Sequence, residues 1–102
     1  MGMREYEERI RKVIRSIPKG KVMSYSQVAR AAGYPSYHRQ VVQVLQSTGD
    51  RLPWHRVVGA GGAIRLKSAG GLEQRTRLEM EGAAFRGKRV DMRVCGLPDN
   101  RR

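Results

Sequence analysis

The residues most able to do chemistry stand in one run, Leu52-Pro53-Trp54-His55-Arg56-Val57-Val58, which holds the chain's single Trp, one of its two His and an Arg in consecutive positions. An indole face stacks on flat ligands, an imidazole moves protons near neutral pH, and a guanidinium grips carboxylates or phosphates. A purely structural reading also exists, in which Trp54 fills a core, His55 bonds a carbonyl and Arg56 pairs with an acid. The surrounding sequence decides between them.

At 102 residues the chain is read as one small domain, residues 1–102, with a core from about residue 3 to 90 and a loose tail from 91 to 102. Any pocket must share residues with that core. Twenty-one Lys and Arg oppose nine Asp and Glu, a net charge of +12. So large an excess points to a polyanionic partner, nucleic acid in particular. No stretch is apolar enough to span a membrane, and none combines a basic face with a continuous apolar one. The single cysteine, Cys95, excludes an intramolecular disulfide and a multi-cysteine zinc site. No metal or cofactor is expected. The N-terminus lacks an apolar signal core, so a reducing, cytoplasmic setting is expected.

The run must be positioned by what precedes it. Tyr6, Ile10, Val13, Ile14 and Ile17 recur at helical spacing between Met3 and Ile17, and Pro18-Lys19-Gly20 ends that helix. Ser24-Tyr25-Ser26-Gln27 forms a capping box for a helix over Tyr25 to Ala32, closed by Gly33. Ser36 is a second N-cap candidate, for a helix from about Tyr37 to Thr48 with Val41, Val44, Leu45 and Thr48 inward. Its first turns carry Tyr37, His38, Arg39 and Gln40. Two short helices with polar residues leading the second make a helix-turn-helix, whose second helix presents its N-terminal end to a DNA groove. With this charge the DNA-binding candidates are Ser36, Tyr37, Arg39 and Gln40.

After the central run, Val57-Val58 and Ala63-Ile64 flank Gly59-Ala60-Gly61-Gly62 and read as a hairpin. A phosphate-loop reading of the glycines fails, because no Gly-Lys-Ser/Thr opens a helix there. Ile64 to Gly71 reads as an exposed basic loop. Leu72 to Glu81 reads as the last helix, with Leu72, Arg75, Leu78 and Met80 near its inner face. Ala84 to Val90 reads as a second short hairpin. The expected class is therefore mainly α (α+β), a winged-helix-like helix-turn-helix DNA-binding domain with short β-hairpins.

Taken together, Ile17-Pro18-Lys19-Gly20-Lys21-Val22, Ser24-Tyr25, Val28-Ala29, Ala32-Gly33, Arg39, Pro53-Trp54-His55-Arg56-Val57-Val58, Gly70-Gly71-Leu72 and Glu81-Gly82 resemble the DNA-binding domain of the alkylguanine-DNA alkyltransferases. The match runs over roughly residues 3 to 90, in the same order with similar gaps. The transferases place an alkyl-accepting cysteine between that Pro and His, and here the residue is Trp54. An indole cannot accept an alkyl group as a His-activated thiolate does, so the transfer reaction is lost. A Trp at this place is the mark of the alkyltransferase-like proteins, which the chain resembles most.

The resemblance implies a non-enzymatic sensor that binds double-stranded DNA, flips an O6-alkylguanine beside Trp54 and flags it for nucleotide excision repair proteins. It implies that Arg39 fills the gap left by the extruded base and that Tyr25 crowds the adjacent phosphate. Pro53, Val57 and Val58 are expected as apolar walls, and Arg65 or Lys67 as a cation over the base. His55 and Glu81, a proton relay in the transferases, are expected in structural or base-edge hydrogen bonds, and Arg56 as a structural bridge. The transferases' Asn-Tyr-Ser-Gly lid is replaced here by Leu66-Lys67-Ser68-Ala69-Gly70, and an expected Asn before the central run is absent. A monomer is expected. Two alternatives remain: a dimeric, sequence-specific helix-turn-helix regulator, and residual alkyl transfer through Cys95.

Overall fold

The computed structural model describes residues 4–48 and 51–98. Helix α1 spans Glu5–Arg15 and buries Ile10 and Ile14 completely. Ile17, just beyond it, is buried as well. Three acidic residues in its first turn and Lys12 and Arg15 in its last oppose the helix dipole with the right signs.

Strand β1, Met23–Ser24, leads into helix α2, Tyr25–Ala31. The anticipated capping box is present in both directions: Ser24 Oγ accepts from the Gln27 amide at 3.1 Å, and Gln27 Oε1 accepts from the Ser24 amide at 2.9 Å. Gly33 ends the unit at φ +94°, a conformation a side chain would strain. Helix α3 covers His38–Thr48, turning Val41, Val44 and Thr48 inward. The Val41 amide bonds the Tyr37 carbonyl at 3.1 Å, so Tyr37, and not Ser36, stands at the head of the helix. Ser36 lies exposed in the turn. Helices α1, α2 and α3 enclose the larger core, with Val28, Ala29 and Ala32 letting them approach closely.

Strand β2, Val57–Val58, departs from expectation. It does not turn back onto Ala63-Ile64 but pairs in parallel with β1, Met23 opposite Val57 and Ser24 opposite Val58. Both valines are buried, as suits a short apolar run placed inside a parallel pair. The glycines instead form a one-turn 3₁₀ segment, Ala60–Gly62, tied by the Gly59 amide to the Ala63 carbonyl at 2.7 Å. Ala63 then bridges to Arg89.

Helix α4 spans Ser68–Met80, beginning four residues before the expected start, so only Ile64 to Lys67 remain as the basic loop. Its inward residues are Gln74 and Leu78; Leu72 and Met80 are 68% and 82% exposed. The Phe85–Arg86 and Arg89–Val90 strands, β3 and β4, form the antiparallel hairpin foreseen after it.

The segment after residue 90 is not a loose tail as far as Pro98. Helix α5, Met92–Cys95, is capped by Asp91, whose carboxylate accepts from the Arg93 amide at 3.0 Å. The Val22 amide bonds the Cys95 carbonyl, and the Leu97 amide returns to the Val22 carbonyl. Cys95 is 2% exposed and shares a second core with Val22, Val58, Leu78 and Val90. Residues 99–102 lie outside the described residues.

Candidate nucleic-acid interface and base pocket

The central run folds as a tight 3₁₀ turn, Trp54–Arg56, anchored by buried Leu52 and by the Trp54 amide on the Leu52 carbonyl at 2.7 Å. A turn so tight sends successive side chains in different directions. Trp54 faces a cavity, while His55 and Arg56 turn to Glu81 at the C-terminal end of α4.

Glu81 is the hub of this turn. Its Oε2 receives Arg56 Nη2 at 2.7 Å and lies 2.8 Å from His55 Nε2; its Oε1 receives Arg56 Nε at 3.0 Å and the Gly20 amide at 3.2 Å. Arg56 also donates from Nη1 to the Ile17 carbonyl at 2.8 Å, so one guanidinium joins the segment after α1, the end of α4 and the central run. This is the structural bridge expected of Arg56. Burial alone would raise the Glu81 pKa, but the hydrogen bonds from Arg56, His55 and Gly20 outweigh it and hold the group at about 2. An ionised carboxylate only accepts, so His55 Nε2 carries a proton. The other nitrogen, Nδ1, is buried without a hydrogen-bond partner among the described residues. The dyad is intact, and it serves no thiol.

The cavity beside Trp54 measures about 330 Å3, within the range of small-ligand sites. Tyr25 of α2, Val42 and Leu45 of α3, Val57, Leu66 and Gln74 build most of its wall with the indole. Gln74 is 3% exposed, and its Nε2 donates to the His55 carbonyl at 3.2 Å and the Val57 carbonyl at 2.9 Å. A single amide thus clips α4 to the run that carries Trp54.

Of the residues expected around a lesion, Trp54 and Val57 line this cavity. Pro53, His55 and Val58 do not: Val58 belongs to the second core and His55 to the Glu81 cluster. Neither Arg65 nor Lys67 lines this cavity, and the indole itself carries a cation of its own. Arg77 supplies it, its guanidinium carbon 5.3 Å from the Trp54 ring centroid, while Glu73 accepts from its Nε and Nη2 at 3.0 and 2.6 Å. The Glu73–Arg77 spacing of four on a helix is a signal present in the sequence. Its relation to Trp54 depends on where α4 starts. Arg65 lays its aliphatic stem over Gly59 and lines an outer cleft with Tyr25, Ser26 and His38; Lys67 lies exposed at the head of α4.

Tyr25 stands between the inner cavity and this outer cleft and lines both. Burial raises its pKa, partly countered by the Arg65 charge, so its hydroxyl keeps its proton at neutral pH. Arg39 is exposed on the first turn of α3, with half-buried Gln40 beside it and Ser36 in the turn before it. Tyr37, half-buried at the head of α3, also has a packing role. Its ring stacks on Tyr34 at 4.9 Å and meets Tyr6 edge-on at 5.3 Å, which fastens α3 to α1.

A helix-turn-helix with an exposed arginine on the first turn of its second helix and an apolar pocket behind it defines a DNA-binding domain of the kind that receives an extruded base. Residues 5–83 match the DNA-binding domain of 6-O-methylguanine DNA methyltransferases, and the chain belongs to that family. It is 46% identical over 72 residues to a DNA base-flipping protein of Vibrio parahaemolyticus, covering 69% of this chain and 72% of that one. It is 41% identical over 103 residues to alkyltransferase-like protein 1 of Schizosaccharomyces pombe, covering 97% of this chain and 95% of that protein. In three dimensions it superposes on the crystal structure of S. pombe Atl1 in complex with damaged DNA containing O6-carboxymethylguanine with a TM-score of 0.79, at 34% identity, over 96% of this chain and 99% of that one.

The chain is not an alkyl-transferring enzyme. Its sole cysteine is buried in the second core, where Sγ takes the Ala84 amide at 3.1 Å, and the pocket holds an indole where transfer needs a thiolate. That placement removes residual transfer through Cys95 from consideration.

Proposed function

We propose that this chain is a non-enzymatic sensor of DNA alkylation damage: it binds duplex DNA, receives an O6-alkylguanine in the pocket walled by Trp54, and holds it without chemistry. The observation that carries this reading is the apolar cavity of about 330 Å3 bounded by Trp54 and Tyr25 directly behind the helix-turn-helix. Stacking on an aromatic is worth about 1–3 kcal/mol per base, comparable with the few kcal/mol that unstacking costs. An O6-alkyl group tips that balance twice, weakening the base pair to be broken and adding apolar surface to bury.

Arg39 enters the duplex and occupies the space the base vacates, while Tyr25 presses on the neighbouring phosphate. The protein acts as a monomer in a reducing, cytoplasmic compartment. Because the captured base is neither cut nor dealkylated, removal requires other proteins, and nucleotide excision repair is the class of partner that the resemblance supplies.

Titration of the protein into fluorescently labelled duplexes with and without one O6-methylguanine, at physiological salt, tests the reading. At least tenfold tighter binding of the lesion is expected. Equal affinity for the two duplexes rejects it, and a dimer bound to one particular undamaged sequence supports the regulator instead.

A further inference from the structure

The excess positive charge is not confined to the helix-turn-helix. Arg86, Lys88, Arg89 and Arg93 fall within eight residues, on the β3–β4 hairpin and the first turn of α5, and all four are exposed. Asp91 is the one carboxylate among them, and it is engaged in capping α5. Arg86, Arg89 and Arg93 line a cleft of about 380 Å3 together with Gly61.

That glycine connects the two basic regions. Gly61 sits at φ +69°, and a β-carbon built there would meet Arg89 Nη1 at 2.8 Å, so the guanidinium rests against the glycine backbone. Its neighbours Gly59 and Ala60 line the outer cleft with Tyr25, Ser26, His38 and Arg65. The short turn 59–62 therefore has the helix-turn-helix cleft on one side and the hairpin cations on the other. Arg65 lies against Gly59 on one side and Arg89 against Gly61 on the other, so two cations flank the turn.

We infer that the β3–β4 hairpin is a second DNA-contacting element, a basic wing that grips the phosphate backbone of the same duplex to one side of the flipped nucleotide. The inference rests on the duplex-binding reading above. Hairpin cations against phosphates carry no sequence information and add affinity by releasing condensed counterions. Lesion preference stays with the pocket; general affinity and its salt dependence are shared with the wing.

The test compares the wild type with an Arg86→Gln, Lys88→Gln, Arg89→Gln, Arg93→Gln variant, and with a control variant carrying Arg9→Gln, Lys12→Gln, Arg15→Gln on α1 and Arg4→Gln just before it. Dissociation constants are measured over a series of salt concentrations on a duplex about two turns long, with and without O6-methylguanine. Each lost phosphate contact flattens the log–log salt slope by about 0.9, so a decrease of about 3 to 4 is expected for the wing variant on both DNAs. The control changes little, and the ratio of lesion to undamaged affinity is the same in all three proteins. An unchanged slope in the wing variant overturns the inference, as does an equal decrease in the control. Lys88→Gln alone, in the hairpin turn, is expected to flatten the slope by about 0.9 and reads the same effect if the fourfold variant does not fold. Absence of lesion preference in the wild type defeats the damage-sensor reading and leaves the slope comparison on undamaged DNA valid for the wing.

Discussion

The Arg77 guanidinium carbon lies 5.3 Å from the Trp54 ring centroid, and Glu73, one turn earlier on α4, holds the guanidinium with two hydrogen bonds. The indole is thus braced by a cation that is itself braced. Such an interaction is worth about 0.5–2 kcal/mol depending on solvent exposure. Arg77→Gln is expected to weaken lesion binding by about threefold to tenfold with little change in melting temperature. Trp54 is the chain's one tryptophan, so its fluorescence reports both indole packing and base stacking directly. An unaltered emission spectrum and unaltered lesion affinity in this variant contradict the bracing role.

Removing the indole itself tests more. Trp54→Ala deletes the stacking face from the pocket wall and is expected to cost about 1–3 kcal/mol of lesion binding, a loss of about fivefold to a hundredfold, while affinity for undamaged duplex changes little. Trp54→Phe is expected to fall between the two. A Trp54→Ala protein that still separates O6-methylguanine from guanine as the wild type does places the base elsewhere.

Elements set by local chemistry were legible in the sequence. Ser24 and Gln27 cap α2 through bonds spanning three residues, and the α1 stripe of Ile10 and Ile14 follows from helical periodicity. Elements set by distant partners were not. Val57 and Val58 find their strand partners more than thirty residues away, so a nearby hairpin looked equally consistent. The phase of α4 was hidden because its inward residue is Gln74, a polar side chain buried to bond two carbonyls of the central run. Hydropathy selected Leu72 and Met80 in its place. The 91–98 segment looked loose because it is attached by backbone bonds to Val22, by distant side chains such as Gln27 on the Leu97 carbonyl, and by one buried thiol, none of them visible as a pattern. In the pocket, the residue types were recognisable at Trp54 and Val57, but Arg77 and Gln74 became visible only once α4 was laid beside the central turn.

Gln74 carries a stability prediction. Gln74→Leu fills similar space but leaves the His55 and Val57 carbonyls without its amide, and a buried unpaired acceptor costs about 1–3 kcal/mol. Urea unfolding is expected to show a loss of about 2 kcal/mol or more, with a broadened Trp54 emission spectrum. A variant as stable as the wild type excludes the clip as a source of fold stability.

Glu81 sets the acid limit of the fold. Its pKa falls from an ordinary 4.5 to about 2, despite the opposing effect of burial, because Arg56, His55 and Gly20 all donate to its ionised form. A carboxylate depressed in the folded state contributes stability in full above its unfolded value, and that contribution is lost as pH drops from about 4.5 towards 2. Glu81→Gln is expected to cost about 3 kcal/mol at neutral pH, because it strands the Arg56 charge, and to flatten the acid limb of the stability profile between those values. Urea midpoints measured from pH 2 to 7 read both effects, and an acid limb of unchanged steepness assigns it to other carboxylates.

Arg39 separates capture from simple adhesion. It is exposed at the second position of α3, where a long planar cation can either pair with a phosphate or enter the stack behind an extruded base. The two roles differ in what they do to selectivity. A phosphate contact is lost equally from damaged and undamaged DNA, whereas a residue that fills the vacated space stabilises only the flipped complex. Arg39→Ala is expected to reduce affinity for an O6-methylguanine duplex by about tenfold or more and affinity for undamaged duplex by about threefold or less. Fluorescence of 2-aminopurine placed opposite the lesion reports the local unstacking, and its rise on protein binding is expected to shrink in the variant. A uniform loss on both DNAs, with the 2-aminopurine signal intact, makes Arg39 a backbone contact and leaves the vacated space to be filled from another element.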